Sequence, residues 1–153
     1  MATETTRAPR QGPPKFANNI VAFLLRSPLH GPFSGAIMLL TFSGRKSGKQ
    51  YTIPVGYTRE GNVVDTFTDH IWWKNLRDGA PVTVVIRGKT YQGRAEAIPD
   101  DREAIAAGLV KLASQHRGAA RAYAITFDAS SKPEHASALE SARRFVMVRI
   151  TLE

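Results

Sequence analysis

Ser43-Gly44-Arg45-Lys46-Ser47-Gly48-Lys49 gathers three cations and two glycines into seven residues, between two apolar runs. A turn of that composition can offer backbone N–H groups, a hydroxyl and positive charge to one anion, which is what a phosphate requires. It is not a P-loop, because no first glycine stands five residues before a Gly-Lys-Ser/Thr triplet. A solvated hairpin turn has the same composition, so the meaning of this one depends on what surrounds it.

Charge points the same way. The chain of 153 residues carries a formal net charge of +8. Between Gly44 and Arg94 nine cations face four anions, Glu60, Asp65, Asp69 and Asp78, so this stretch alone nets +5. The positive field therefore belongs to the middle of the fold and not to a basic tail. That favours a compact anion site over a disordered nucleic-acid arm. No RNP-like, helix-turn-helix or zinc-finger pattern is present, and aromatic and basic residues do not interleave along one strand, so nucleic acid is not the expected partner. With no cysteine, disulfides, thiolate metal sites and cysteine nucleophiles are excluded, and an intracellular, cytoplasmic setting fits. His30, His70, His116 and His135 are scattered, and no metal site is expected.

The elements that must position the turn follow from periodicity. Residues 1–14, with Pro9, Pro13 and Pro14, read as a flexible N-terminal segment, and 15–153 as one domain. No apolar run reaches the roughly 18 residues of a membrane span. Phe16, Ile20, Phe23 and Leu24 form a helical stripe over Lys15–Ser27 that packs on the domain. Its sharper reading is an amphipathic anchor giving peripheral contact with the inner membrane face. Ala36–Phe42 reads as a buried strand and Tyr51–Thr58 as an alternating one, with Pro54 implying an edge or bulge. Val63–Thr68 is a third strand and Trp72–Asp78 a short helix closed by Gly79. Val82–Ile86 and Thr90–Ile98 form a hairpin about Arg87-Gly88-Lys89. The longest helix starts at Asp100 with a capping box to Glu103 and ends at Gly118. Ala119–Phe127 is ambiguous, Glu134–Ala142 a brief helix, and Phe145–Thr151 the last strand. Local hairpins predict an antiparallel sheet closing on itself, a small β-barrel with packed helices in the α+β class.

At these residues the chain resembles a known family. LLTFSGRKSGK (Leu39–Lys49), the strand with internal Pro54, and the W-x-x-N-L start at Trp72, Asn75 and Leu76 are similar to the deazaflavin-dependent nitroreductases. These are split β-barrel, FMN-binding-like oxidoreductases that use coenzyme F420. The resemblance covers roughly Leu39 to Ile98. It implies that Arg45, Lys46 and Ser47, with the amides of Gly48 and Lys49, take the phosphate or first glutamates of F420. Thr52 and Pro54 would line the cofactor groove, Trp72 would pack near the deazaflavin ring, and Asn75 would fix the chain locally. Relatives carry a longer loop before the Trp; here Thr68-Asp69-His70-Ile71 bridges directly, and Thr68 or His70 would replace some of its contacts. The implied reaction is hydride transfer from reduced deazaflavin to a small-molecule acceptor such as a quinone, a nitroaromatic or an activated double bond. Tyr123 and Ser114 are the candidate proton donors, and Phe33, Asp69–Trp73 and Leu112–Phe127 the expected pocket walls. Split barrels are frequently dimers, so a homodimer is expected. FMN or another flat anionic ligand is the alternative occupant, and a non-enzymatic basic binding domain the third reading.

Overall fold

Alternation along the strands decides which side chains fill the barrel. In β1 (Ile37–Ser43) Met38, Leu40 and Phe42 are buried and their neighbours are less so. In β6 (Val146–Leu152) Val148, Ile150 and Leu152 take the inner face, while Met147 and Arg149 point out. A computed structural model describes residues 37–153. The N-terminal segment, the helix and membrane contact expected over Lys15–Ser27, and Phe33 lie outside the described residues.

The remaining strands are β2 (Gln50–Glu60), β3 (Val63–Thr68), β4 (Ala80–Ile86) and β5 (Lys89–Ile98). All neighbouring pairs are antiparallel, and the sheet closes in the order β1-β2-β3-β6-β5-β4. Met38, Leu40, Val64, Val84, Val148 and Ile150, all at most 1% exposed, fill the interior, as a small barrel requires. The predicted antiparallel barrel is thus the fold found.

Among the described residues the closure opens between β2 and β3. β2 pairs with β1 from Gln50 to Gly56, but with β3 only from Tyr57 to Glu60. The first half of β2 is therefore paired on one side only, and Pro54 falls there, where no second strand asks for its missing N–H. The barrel is split at this point.

A second core lies outside the barrel. α1 (Arg102–Gln115) lays Ile105, Leu109 and Leu112 on the outward-facing Phe67 and Met147, joined by Ala138 of α2 (His135–Ser141). Gly108 makes this close approach possible: a Cβ there would stand 2.7 Å from Phe67 Cζ and 3.1 Å from Met147 Sδ. On another part of the outer face the buried carboxylate of Asp65 takes two hydrogen bonds from Arg149, at 2.9 and 3.0 Å, tying β3 to β6.

Helix ends differ from expectation in three places. The cap of α1 is Asp101, one residue later than read, and its carboxylate accepts from the Ala104 N–H at 3.0 Å. The helix ends at Gln115, not Gly118, and the ambiguous stretch opens as a 3-10 helix, Arg117–Tyr123. Trp72–Asp78 is a tighter 3-10 helix over Ile71–Asn75, and Asp78 already sits at φ 57°. That tighter pitch matters for the site.

Candidate active site

In a 3-10 helix residues three apart eclipse each other. Ile71 and Lys74 therefore share one face of the short helix, and Trp72 and Asn75 the next. The W-x-x-N spacing places the indole and the carboxamide side by side. Asn75 then joins two parts of the motif: its Nδ2 donates to the Trp72 carbonyl, and its Oδ1 accepts from the Arg45 N–H, both at 3.0 Å. This is why the basic turn and the Trp motif belong together, although thirty residues separate the bonded pair.

The basic turn is closed largely by its own hydrogen bonds. The Gly44 N–H donates to the Lys49 carbonyl and the Gly48 N–H to the Gly44 carbonyl, both at 2.8 Å. The Lys49 N–H donates to Ser47 Oγ at 3.1 Å. Gly48 at φ 70° makes the left-handed bend this requires. The amides of Gly48 and Lys49 are therefore spent inside the turn, which corrects their expected role toward an anion. What the turn presents is side-chain charge from Arg45 and Lys46, and the Ser47 hydroxyl.

Two cavities meet at this corner of the barrel. The first, about 340 Å³, is lined by Arg45, Lys46, Ser47, Lys74 and Asn75, with Phe42, Tyr51, Ile71 and Trp72 as its apolar part. The second, about 520 Å³, is lined by Ile53, Pro54, Val55, Phe67, Thr68, Trp72, Tyr123 and Phe145, with Asp69 and His70 among its polar residues. Ile53 and Trp72 line both, so the two are lobes of one groove along the split in the barrel. Trp72 stacks on Phe42 with ring centroids 5.6 Å apart, and Phe42 stacks on Tyr51 at 5.7 Å. The indole is half-buried, packed against the barrel core on one side and open to the groove on the other. Trp73 is also half-buried and packs on the core, with the Arg77 guanidinium 5.1 Å from its ring.

The structure brings together Arg45, Lys46, Ser47, Pro54, Thr68, Trp72, Asn75 and Tyr123 of the residues expected from sequence. Four others stand apart, among them Gly48, which lines neither lobe. Thr52 is buried and its hydroxyl is hydrogen-bonded to that of Thr41 at 2.8 Å, so it serves the sheet and not the groove. Ser114 is exposed on α1 and donates to the Val110 carbonyl at 2.9 Å, away from both lobes. Lys49 lines neither lobe; its Nζ lies 5.9 Å from the Tyr51 ring centroid. Of the wall expected over Leu112–Phe127, only Ala122 and Tyr123 reach the groove. Lys74 and Phe145 line the groove although neither was singled out; Lys74 stands beside Ile71, three residues earlier on the same face of the short helix.

Tyr123 stands between Phe67 and Phe145, at centroid distances of 6.1 and 5.0 Å, both edge-on. Burial, and then the charge of Asp69, hold its phenol above the ordinary value. It therefore stays a protonated donor across the physiological range. The Thr68 hydroxyl accepts from the His70 N–H at 3.0 Å and, among the described residues, donates to no other group. His70 itself is a surface residue, 3.5 Å from Asp69.

An anionic cofactor with a flat ring is what such a groove accommodates: cations at one end, aromatic and aliphatic walls at the other. Comparison with known proteins agrees. In overall structure the chain is similar to the conserved hypothetical protein Rv2991 of Mycobacterium tuberculosis, at 17% identity over 89% of this chain and 79% of that one, with a TM-score of 0.57. It is similar to the F420-H2-dependent reductase FDR-A, at 19% identity over 77% and 94% of the two chains, with a TM-score of 0.50. A chain described as a domain-swapped dimer is similar at 20% identity over 77% and 80%, also with a TM-score of 0.50. No curated protein sequence matches it. The F420H(2)-dependent quinone reductase family matches residues 26–126, two thirds of the chain, so this protein belongs to that family and is an F420-dependent oxidoreductase on a split β-barrel.

Proposed function

We infer that the groove binds F420 with its anionic tail in the basic lobe and its ring against Trp72, leaving the rest of the apolar lobe to an electron-poor acceptor, a quinone, nitroaromatic or activated double bond. The observation that carries this reading is the Asn75 bridge, which holds the Arg45 turn and Trp72 in one frame. When bound, the deazaflavin supplies two-electron hydride chemistry. The chain's residues bind, orient and exclude water around it. Arg45, Lys46 and Lys74 hold phosphate and carboxylate oxygens, each charge-assisted contact contributing about 1.5–3 kcal/mol. Ile53, Pro54 and Val55 form one wall, and Phe67 and Phe145 the other. The Tyr123 phenol is the proton donor to the reduced acceptor. Its raised pKa keeps the proton in place until charge develops opposite it.

We also infer a homodimer, supported by the similarity to a domain-swapped dimer. Titration with oxidised F420, FMN and FAD, followed by fluorescence, tests the cofactor assignment. Saturable F420 binding with little response to FMN is expected. Binding of FMN alone would move the protein to another branch of the same barrel.

A further inference from the structure

We propose that Asp69 is a specificity-determining residue, and that its carboxylate makes the acceptor lobe select uncharged or cationic acceptors and disfavour anionic ones. The inference rests on the reading of the larger lobe as the acceptor site and names the class of acceptor it takes.

The groove is electrically polar along its length. Among the described residues the basic lobe is lined by Arg45, Lys46 and Lys74 and by no carboxylate. The larger lobe is lined by one carboxylate, Asp69, and by no lysine or arginine. Asp69 stands at the end of β3 where the chain turns into the Ile71–Asn75 helix, so its backbone is fixed by the barrel on one side and the Trp72 turn on the other. Among the described residues no arginine or lysine pairs with it. Its neighbour is His70, whose Nε2 lies 3.5 Å from Oδ1 and which is itself largely exposed. The Asp69 side chain therefore lines the lobe without a basic partner. Its field is felt inside: the Asp69 charge is one of the two causes that hold the Tyr123 phenol protonated, after burial. An anionic acceptor entering beside Tyr123 meets that field in a partly desolvated space, where it is screened less than at the open surface. The anionic tail of F420 is held at the opposite end, so the same charge also discourages reversed binding. Because the Asp69 side chain is 53% exposed, the discrimination expected is about two- to fivefold, the range of a half-exposed charge pair.

The test uses two nitro compounds of nearly equal size, 4-nitrobenzylammonium and 4-nitrobenzyl alcohol. The cationic member is repelled by the basic lobe, so it reports on the acceptor lobe alone. Their affinities are read from quenching of tryptophan fluorescence in the cofactor-free protein, with the Trp72→Phe protein marking the signal that comes from the groove. In Asp69→Asn the ammonium-to-alcohol affinity ratio should fall about two- to fivefold, and in Asp69→Lys further. The difference should shrink at about 1 M salt, where the screening length is about 3 Å. A second readout, kcat/KM for the same pair with reduced F420, should move in the same direction. Ratios equal in all three proteins at low salt would overturn the proposal. If F420 fails to bind the unaltered protein, the function assigned above is wrong, while the cofactor-free ratios still decide the role of Asp69.

Discussion

At the scale of single residues, the proposed tail site rests on the side chains of Arg45 and Lys46, because the amides of Gly48 and Lys49 are bonded within the turn. Replacing both by alanine should therefore weaken F420 binding by about two orders of magnitude, from two contacts near 1.5 kcal/mol each. The turn's internal hydrogen bonds do not involve these side chains, so the double variant should fold normally. Unchanged affinity in a folded protein would remove the turn from the site. Tyr123 makes a prediction of the opposite kind, in pH. Its folded pKa lies above the ordinary 10.0, so the stability linked to it is complete below that value and is lost as pH rises through the folded one. Denaturant unfolding of the native protein and of Tyr123→Phe should therefore diverge above about pH 10, the native protein losing stability relative to the variant. Because Tyr123 is the proposed proton donor, the same substitution should lower kcat by about 100-fold or more with little change in F420 affinity. Arg45 and Lys46 were expected from the charge of the turn, and Trp72 and Asn75 from the family resemblance of the W-x-x-N-L start; the structure brings the four together at one lobe. Ser114 and Thr52 looked equally polar, but each hydroxyl is consumed locally, by the preceding helical turn and by a cross-strand threonine. Hydroxyl partners of that kind are set by backbone geometry, which residue types alone do not carry.

At the scale of elements, the groove's two walls depend on how α1 sits on the barrel. Gly108 is the point of closest approach, and Phe67, which it touches, also lines the acceptor lobe. Gly108→Ala gains about 1 kcal/mol of helix propensity but places a methyl 2.7 Å from the Phe67 ring. Overpacking of a buried contact costs about 1–3 kcal/mol, so a net loss of about 1 kcal/mol is expected in denaturant unfolding. Because Phe67 must move, KM for the acceptor should rise while the affinity for F420 through the basic lobe is preserved. Strand order along the chain was readable because alternation and two-residue turns are local signals. The β1–β4, β3–β6 and β5–β6 pairings join distant segments, and the sequence alone could say only that some closure must exist. The same limit applied at Trp72–Asp78, where the Gly79 stop predicted a short helix but could not separate an α-helix from the tighter 3-10 form found over Ile71–Asn75.

At the scale of the whole molecule, the chain carries a net charge of +8, and the groove's cations cluster at one end. The larger lobe carries no lysine or arginine, so an uncharged acceptor has little in it to respond to. Charge should therefore govern how fast F420 arrives far more than how the acceptor does. A multiply anionic ligand approaching a positive field is steered toward the basic lobe, and salt removes that advantage by shortening the range of the field. Stopped-flow association of oxidised F420 should slow by about tenfold between about 10 mM and about 0.5 M salt. The KM of a neutral quinone should stay nearly constant over the same range, because nothing on it responds to the field. Moreover, the Arg45→Ala/Lys46→Ala protein should retain part of the salt dependence of association, since Lys74 and the distributed charge remain. Its dissociation should be faster at every salt concentration, since the lost contacts act only after docking. A double variant whose association no longer depends on salt would instead place all the steering in the two residues of the turn, and the molecule's remaining charge would have no part in capture.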